Sequence, residues 1–261
     1  MKKIALFACL FIAFTLQAQT KMGVIYDENV QVRKLPSFTS IRVSDAIELF
    51  ISQSNKTEVA VSAKSDEYRN KIITEVVGGT LIIRMANNYG KWWKWGNEDN
   101  RIKAYVSVNE LYAITALGAT NTKIVNGLTA EKLKINLSGA SDFKGDIKAG
   151  TLMTELSGAS NFKGTVQAGA FSVRGSGACD IEVAGSGDDL IVEVSGASSV
   201  KMYDYLVKGA SLDASGASSI KVNVSGMLKV NAIGASSIDY KGAASIKDMK
   251  SSGASSVRHR N

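Results

Sequence analysis

Ser138-Gly139-Ala140-Ser141 returns as Ser157-Gly158-Ala159-Ser160, as Ser176-Gly177-Ala178-Cys179, and again at 195–198, 215–218 and 252–255. Looser copies, Leu117-Gly118-Ala119-Thr120 and Ile233-Gly234-Ala235-Ser236, fill the remaining places. The shared glycines are Gly118, Gly139, Gly158, Gly177, Gly196, Gly216, Gly234 and Gly253, spaced by 21, 19, 19, 19, 20, 18 and 19 residues. Copies at a near-constant period describe a stack of like units. A period near 19 residues is short for a two-helix repeat and fits one turn of a β-solenoid.

Around each phrase the apolar residues alternate. Leu190, Val192 and Val194 interleave with Ile191, Glu193 and Ser195, and the same register gives Leu133-Ile135-Leu137, Phe171-Val173, Leu212-Ala214 and Leu228-Val230-Ala232. Alternation at period two marks strands with one buried face. Carried through the glycine, the same parity turns Ser198, Val200 and Met202 inward with Val194. Stacking then predicts a column of Ser141, Ser160, Cys179, Ser198, Ser218, Ser236 and Ser255, with Thr120 at one end. Glycine at the corner allows a turn that a Cβ resists. Gly150, Gly169, Gly187, Gly209 and Gly226 mark a second corner, so each coil has two or three short faces.

The serine column has a structural reading, a ladder of small side chains hydrogen-bonding at a tight corner. It also has a functional one, a nucleophile or ligand-binding serine. Six equivalent serines, none with an evident base, favour the structural reading. Cys179 agrees with it, since a free cysteine behaves as a small buried group.

The rest of the chain frames this stack. Lys2 and Lys3, an apolar run over residues 4–16 and Gln17-Ala18-Gln19 have the order of a secretory signal, with cleavage expected after Ala18. Leu6-Phe7-Ala8-Cys9 resembles a lipoprotein box, but the apolar run continues past Cys9, which argues against a lipid anchor there. Loss of the two lysines lowers the formal charge from +7 to +5 and leaves Cys179 as the sole cysteine, so no intrachain disulfide is expected. No later apolar run reaches the length of about 20 residues that spans a membrane. The lysines are spread along the coils as on a solvated face, and nucleic-acid binding is not expected.

Residues 19–110 lack the glycine period and read as a β-rich cap that also begins the coils, before the eight coils of 111–261. The expected strands are 40–43, 46–52, 57–63, 72–77, 80–85 and 102–108, with a hairpin at Gly78-Gly79 and a helical turn near 65–70. A solenoid end needs such a cap to cover open strand edges. Within this region Lys91, Trp92, Trp93, Lys94 and Trp95 gather all three tryptophans between two strands. They read either as a loop folded over the solenoid end or as an exposed aromatic surface for a sugar, a lipid headgroup or a protein. The last coil carries Lys247, Met249 and Ser251 where others carry apolar residues, as terminal repeats do. His259 has no histidine or cysteine companion for a metal site and reads as solvated.

The export signal, Arg33 with Phe38-Thr39-Ser40-Ile41, Gly79-Thr80-Leu81-Ile82-Ile83, Leu111-Tyr112-Ala113-Ile114, Leu117-Gly118-Ala119 and the Ser-Gly-Ala-Ser phrase together resemble the putative auto-transporter adhesin, head GIN domain family, common in exported proteins of Bacteroidetes-type bacteria. The resemblance covers nearly all of the mature chain. It implies an all-β fold, a single-stranded parallel β-helix of right hand, and no established catalytic residues or cofactor. No barrel-forming segment follows the helix in this sequence, so display by self-translocation is not expected.

Three functions follow. The first is a non-enzymatic, adhesin-like binding protein of the periplasm, outer membrane or exterior, offering long regular faces to a glycan, protein or lipid headgroup. The second is a polysaccharide-active enzyme, since the fold alone does not decide. Hydrolysis needs paired carboxylates, yet Asp142 and Asp180 lie about two coils apart, roughly 10 Å, and give way to Asn161, Ser199, Ser219, Ser237 and Ser256 elsewhere. The third is a lipid-binding or structural envelope protein. The first is the expected one, with no cofactor and no metal.

Overall fold

The computed structural model describes residues 29–86 and 101–260. Short strands come first: β1 (Val30–Arg33), β2 (Ser40–Val43), β3 (Glu48–Gln53) and β4 (Glu58–Ser62). One helical turn, α1 (Asp66–Arg69), follows, capped by Ser65. Then come β5 (Ile72–Val77), β6 (Thr80–Met85), β7 (Lys103–Val108), β8 (Ala113–Ala116) and β9 (Asn121–Ile124). The repeat region is β10 (Leu128–Leu137), β11 (Asp142–Lys144), β12 (Ile147–Gly158), β13 (Asn161–Gly177), β14 (Asp180–Gly196), β15 (Ser199–Ala214) and β16 (Ser219–Gly234). It closes with β17 (Ser237–Lys241), β18 (Ser245–Gly253) and β19 (Ser256–His259).

These strands wind into a parallel β-solenoid. The segment before each corner glycine forms face I and the segment after it forms face II. Residues 128–130, 147–149, 166–168 and their successors form a short face III. Successive coils pair in register, so one inward column runs Leu133, Leu152, Phe171, Leu190, Ala210 and Leu228, all buried. Like residues stack on like: the rings of Phe143 and Phe162 lie parallel at 5.0 Å. Removing either ring would cost about 3–5 kcal/mol.

The N-terminal end is threaded out of order. Along face I the rungs run β6, β2, β8, β10, and along face II β7, β3, β9, β11. β2 and β3 therefore form the second rung, and the later strands β6 and β7 form the outermost one. Beyond them β5 pairs antiparallel with β6, β4 with β7 and β1 with β4. These antiparallel strands finish an edge that would otherwise invite further pairing. In the β2–β3 coil the corner is made by Asp45 and Ala46, at φ 67° and 56°, where later coils use glycine. The Asp45 carboxylate accepts from Ser44 Oγ at 2.9 Å and from the Met85 N–H at 3.0 Å, tying this corner to the outermost rung. The left-handed Ala46 is why β3 begins at Glu48 and not at residue 46.

At the far end every residue of β18 is exposed. Ile246 and Met249 occupy the inward register of Leu228 and Val230 but are exposed, with no further coil over them among the described residues. His259 is exposed and stacks on Tyr240 at 4.9 Å.

Candidate functional site

The corner column is built by three interlocking features. Each of the eight glycines has positive φ. The alanine N–H after it donates to the carbonyl of the glycine one coil earlier: Ala159 to Gly139, Ala178 to Gly158 and Ala197 to Gly177, each at 2.7 Å. The serine after that turns inward and donates to the carbonyl three residues back. Ser141 bonds Ser138 O at 2.7 Å, Ser160 bonds Ser157 O at 2.8 Å, Ser198 bonds Ser195 O at 2.9 Å and Ser218 bonds Ser215 O at 2.7 Å. Cys179 makes the weaker Sγ equivalent to Ser176 O at 3.4 Å. Ser236 bonds Ala214 O instead, and Ser255 bonds Ser252 O in the half-exposed terminal coil. Thr120 donates to Ser141 Oγ and closes the column. Each of these hydroxyls thus has a partner at the corner, within its own turn or in the adjoining coil.

On face I an outward column runs Asn136, Glu155, Arg174, Glu193, Asp213 and Asn231. Five of its members pair with one another or a neighbour: Lys134 with Glu155 at 3.0 Å, Arg174 with Glu193 at 2.8 Å, and Asn231 donating to Asp213 at 2.8 Å. Beside it Ser157, Ser176, Ser195 and Ser215 rim an open groove of about 780 Å³.

Face II carries a different column. The residue five places after each corner glycine is Lys123, Lys144, Lys163, Glu182, Lys201, Lys221, Asp239 and Arg258. The register places all eight in one line. Lysines that look scattered in the sequence thus stand one above another. At its N-terminal end the line continues to Phe50 and Tyr105, stacked at 5.2 Å, with Lys123 over the Phe50 ring. An open groove of about 510 Å³ follows the line, with Asp146 and Asp204 also lining it. In the neighbouring outward column Asn161 donates to Asp142 at 2.7 Å and Lys201 holds Asp180 at 3.0 Å. Those two acids stand two rungs apart, each with its own partner.

A model of the putative auto-transporter adhesin, head GIN domain family matches residues 37–244. The chain belongs to this family. Among solved structures the head GIN chain is similar to a putative adhesin from Parabacteroides merdae, at 15% identity and a TM-score of 0.79, covering 89% of this chain and 96% of that one. It is similar to a putative lipid binding protein from Parabacteroides distasonis, at 20% identity and a TM-score of 0.72, covering 90% and 98%. A putative adhesin from Parabacteroides distasonis matches at 16% identity and a TM-score of 0.72, covering 89% and 96%. Identities this low establish the shared fold. No curated protein matches.

Lys91, Trp92, Trp93, Lys94 and Trp95 of the head GIN chain lie outside the described residues, as does the export signal. The tryptophan segment joins β6, on face I, to β7, on face II. Among the described residues no group of three or more His, Cys, Asp or Glu is placed to hold a metal ion, and no helix is long and apolar enough to cross a membrane.

One buried group breaks the alternation read from the sequence. Tyr205 enters the core at a bulge, where β15 has one residue more than β14 between paired positions. Its ring meets Phe171 edge-on at 5.8 Å, and its hydroxyl occupies the space a side chain at Gly187 would need. Among the described residues that hydroxyl has no hydrogen-bond partner. Burial, with a smaller contribution from Asp188, pushes the phenol up to about 12.

Proposed function

We propose that this head GIN protein is exported and acts without catalysis, as an adhesin-like binding protein of the cell envelope. The observation that carries the reading is the in-register alignment of outward residues, which makes each face a long surface repeating every strand spacing. Such a surface suits an extended or repetitive partner. The hydrogen-bonded corner hydroxyls and the separately partnered Asp142 and Asp180 favour binding over hydrolysis. The adhesins among the structural neighbours support the reading through the shared fold. The tryptophan segment, Trp92, Trp93 and Trp95 with Lys91 and Lys94, is proposed as a second contact point.

The test uses protein purified from its native host. Mass spectrometry is expected to show Gln19 at the amino terminus, and the mature chain is expected to bind an envelope fraction or a glycan array saturably without altering it. A lipid-modified Cys9 would overturn the export route. Depolymerisation of a bound glycan would overturn the non-enzymatic reading, and absence of saturable binding would overturn the binding reading.

A further inference from the structure

We infer that the lysine column of face II binds a linear acidic polysaccharide whose carboxylates recur along an extended chain. This rests on the binding role proposed above and adds the face and the ligand class. The first argument is dimensional. Lys144, Lys163, Lys201 and Lys221 stand on separate rungs of one line, and neighbouring rungs lie about 4.8 Å apart. An extended 1→4-linked uronate chain advances by close to one rung per sugar on a straight course, so the carboxylates on its inner side recur at whole numbers of rungs along the column.

The second argument is the state of those lysines. Lys144 and Lys221 are exposed and make no ion pair or hydrogen bond among the described residues. Lys163 and Lys201 hold Glu182 at 2.7 Å and Asp180 at 3.0 Å, in pairs about half exposed on both sides. Exposed pairs of this kind are weak, so an arriving carboxylate exchanges for them at little cost. Each new contact is weak as well, and affinity comes from several being made by one chain.

The third argument separates a polymer from an anionic membrane. Asp146 and Asp204 line the same groove, and Asp142 and Asp180 stand in the neighbouring column. A flat anionic bilayer pressed on face II would meet these acids together with the lysines. A single strand lying along the lysine line is narrow enough to leave Asp142 and Asp180 of the neighbouring column aside, and the acid it meets within the line, Glu182, is already held by Lys163.

Immobilised polygalacturonate tests this with the whole mature chain, against dextran, phosphatidylglycerol vesicles and the envelope fraction. The double variant Lys144→Glu/Lys221→Glu should lose at least about tenfold in affinity for polygalacturonate. A double variant with the same charge change on faces III and I, Lys148→Glu/Lys229→Glu, should change by less than about twofold. Retention of the parent should fall as salt is raised. If the glutamate pair on face II disturbs the melt, Lys144→Gln/Lys221→Gln replaces it and should give a smaller loss of the same kind. Equal losses in the two double variants, no retention on polygalacturonate at low salt, or retention on vesicles alone would each overturn the inference. If envelope binding persists in all variants while polygalacturonate is not bound, the inference fails and the binding role stands. If no surface in the panel is bound, the binding role fails too.

Discussion

Gly177→Ala and Gly118→Ala separate the two demands made on the corner glycines. Both residues have positive φ, 105° and 82°. An L-residue held there is strained by roughly 1–2 kcal/mol. The narrower unfolded ensemble of alanine offsets about 0.4–1 kcal/mol of that. Gly118 has only this demand, because a Cβ there would lie 3.7 Å from its nearest neighbour, the Asp45 nitrogen. Gly118→Ala should therefore cost about 1 kcal/mol. At Gly177 the same Cβ would lie 2.5 Å from Gly158 O and 3.1 Å from Gly158 N. That carbonyl already accepts the Ala178 N–H at 2.7 Å, so the coils must part or the corner must turn over. Forced overpacking adds about 1–3 kcal/mol, and loss of the corner hydrogen bond about 0.5–1.5 kcal/mol more. Gly177→Ala should cost about 3–5 kcal/mol in all. Urea unfolding measures the difference, with hydrogen exchange at the Ala178 amide showing where the stack opens. A stack of repeats need not unfold in two states, so the urea slopes of both variants must match the parent before free energies are compared. Equal costs at the two sites would refute the stacking argument and leave backbone strain as the sole reason for glycine.

Ser198→Leu puts a large side chain into a buried corner and removes the bond to Ser195 O, so it should destabilise by about 1–3 kcal/mol, while Ser199→Leu on the outward side should stay within about 0.5 kcal/mol; denaturant melts of the pair check this. Tyr205→Phe removes a buried hydroxyl without a partner and should be neutral or stabilising by about 1 kcal/mol. Because the folded phenol is pushed up to about 12 from 10, the unfolded chain releases a proton between those values that the folded chain keeps. Stability should fall as pH rises through that window, by at most about 1.4 kcal/mol per pH unit, and the phenylalanine variant should lack this part of the fall. Changing Trp92, Trp93 and Trp95 together to alanine should lower both ligand capture and stability, the latter by about 3–5 kcal/mol for each ring that is well buried. An unchanged melt would remove the capping role and unchanged capture the binding role.

The solenoid is legible in the sequence because one constraint repeats. A corner that stacks backbone on backbone admits only glycine, and the residue two places on must be small and able to reach a carbonyl. Both needs leave the same letters at the same interval. The N-terminal threading is not legible for the converse reason. Asp45 and Ala46 turn their corner with a side-chain bond to Met85, far away in sequence, so nothing local marks β2–β3 as a coil. Tyr205 is hidden in another way. One added residue, visible as the 20-residue spacing from Gly196 to Gly216, reverses the parity that alternation would assign it. The tertiary space below Gly187 then decides where the ring goes.

The outer columns fall between these cases, and they bear on function. Inward and corner positions are fixed by packing, so their period reports architecture and nothing about a ligand. Outward positions answer to no neighbouring core, and a column there is free to vary from coil to coil. On face I it varies: Asn136, Glu155, Arg174, Glu193, Asp213 and Asn231 mix charge and kind, and Arg174 pairs with Glu193 and Asn231 with Asp213 inside the column. On face II the place five after each glycine is cationic in six coils of eight, and Glu182 and Asp239 are held by Lys163 and Arg260. Strand packing does not require that bias, since a solvated face tolerates either sign, and like charges on neighbouring strands oppose the fold. This cationic bias is the feature on which the proposed contact with an acidic chain rests. The period was in the sequence all along, but it shows only when residues are counted from the corner glycines and not along the chain.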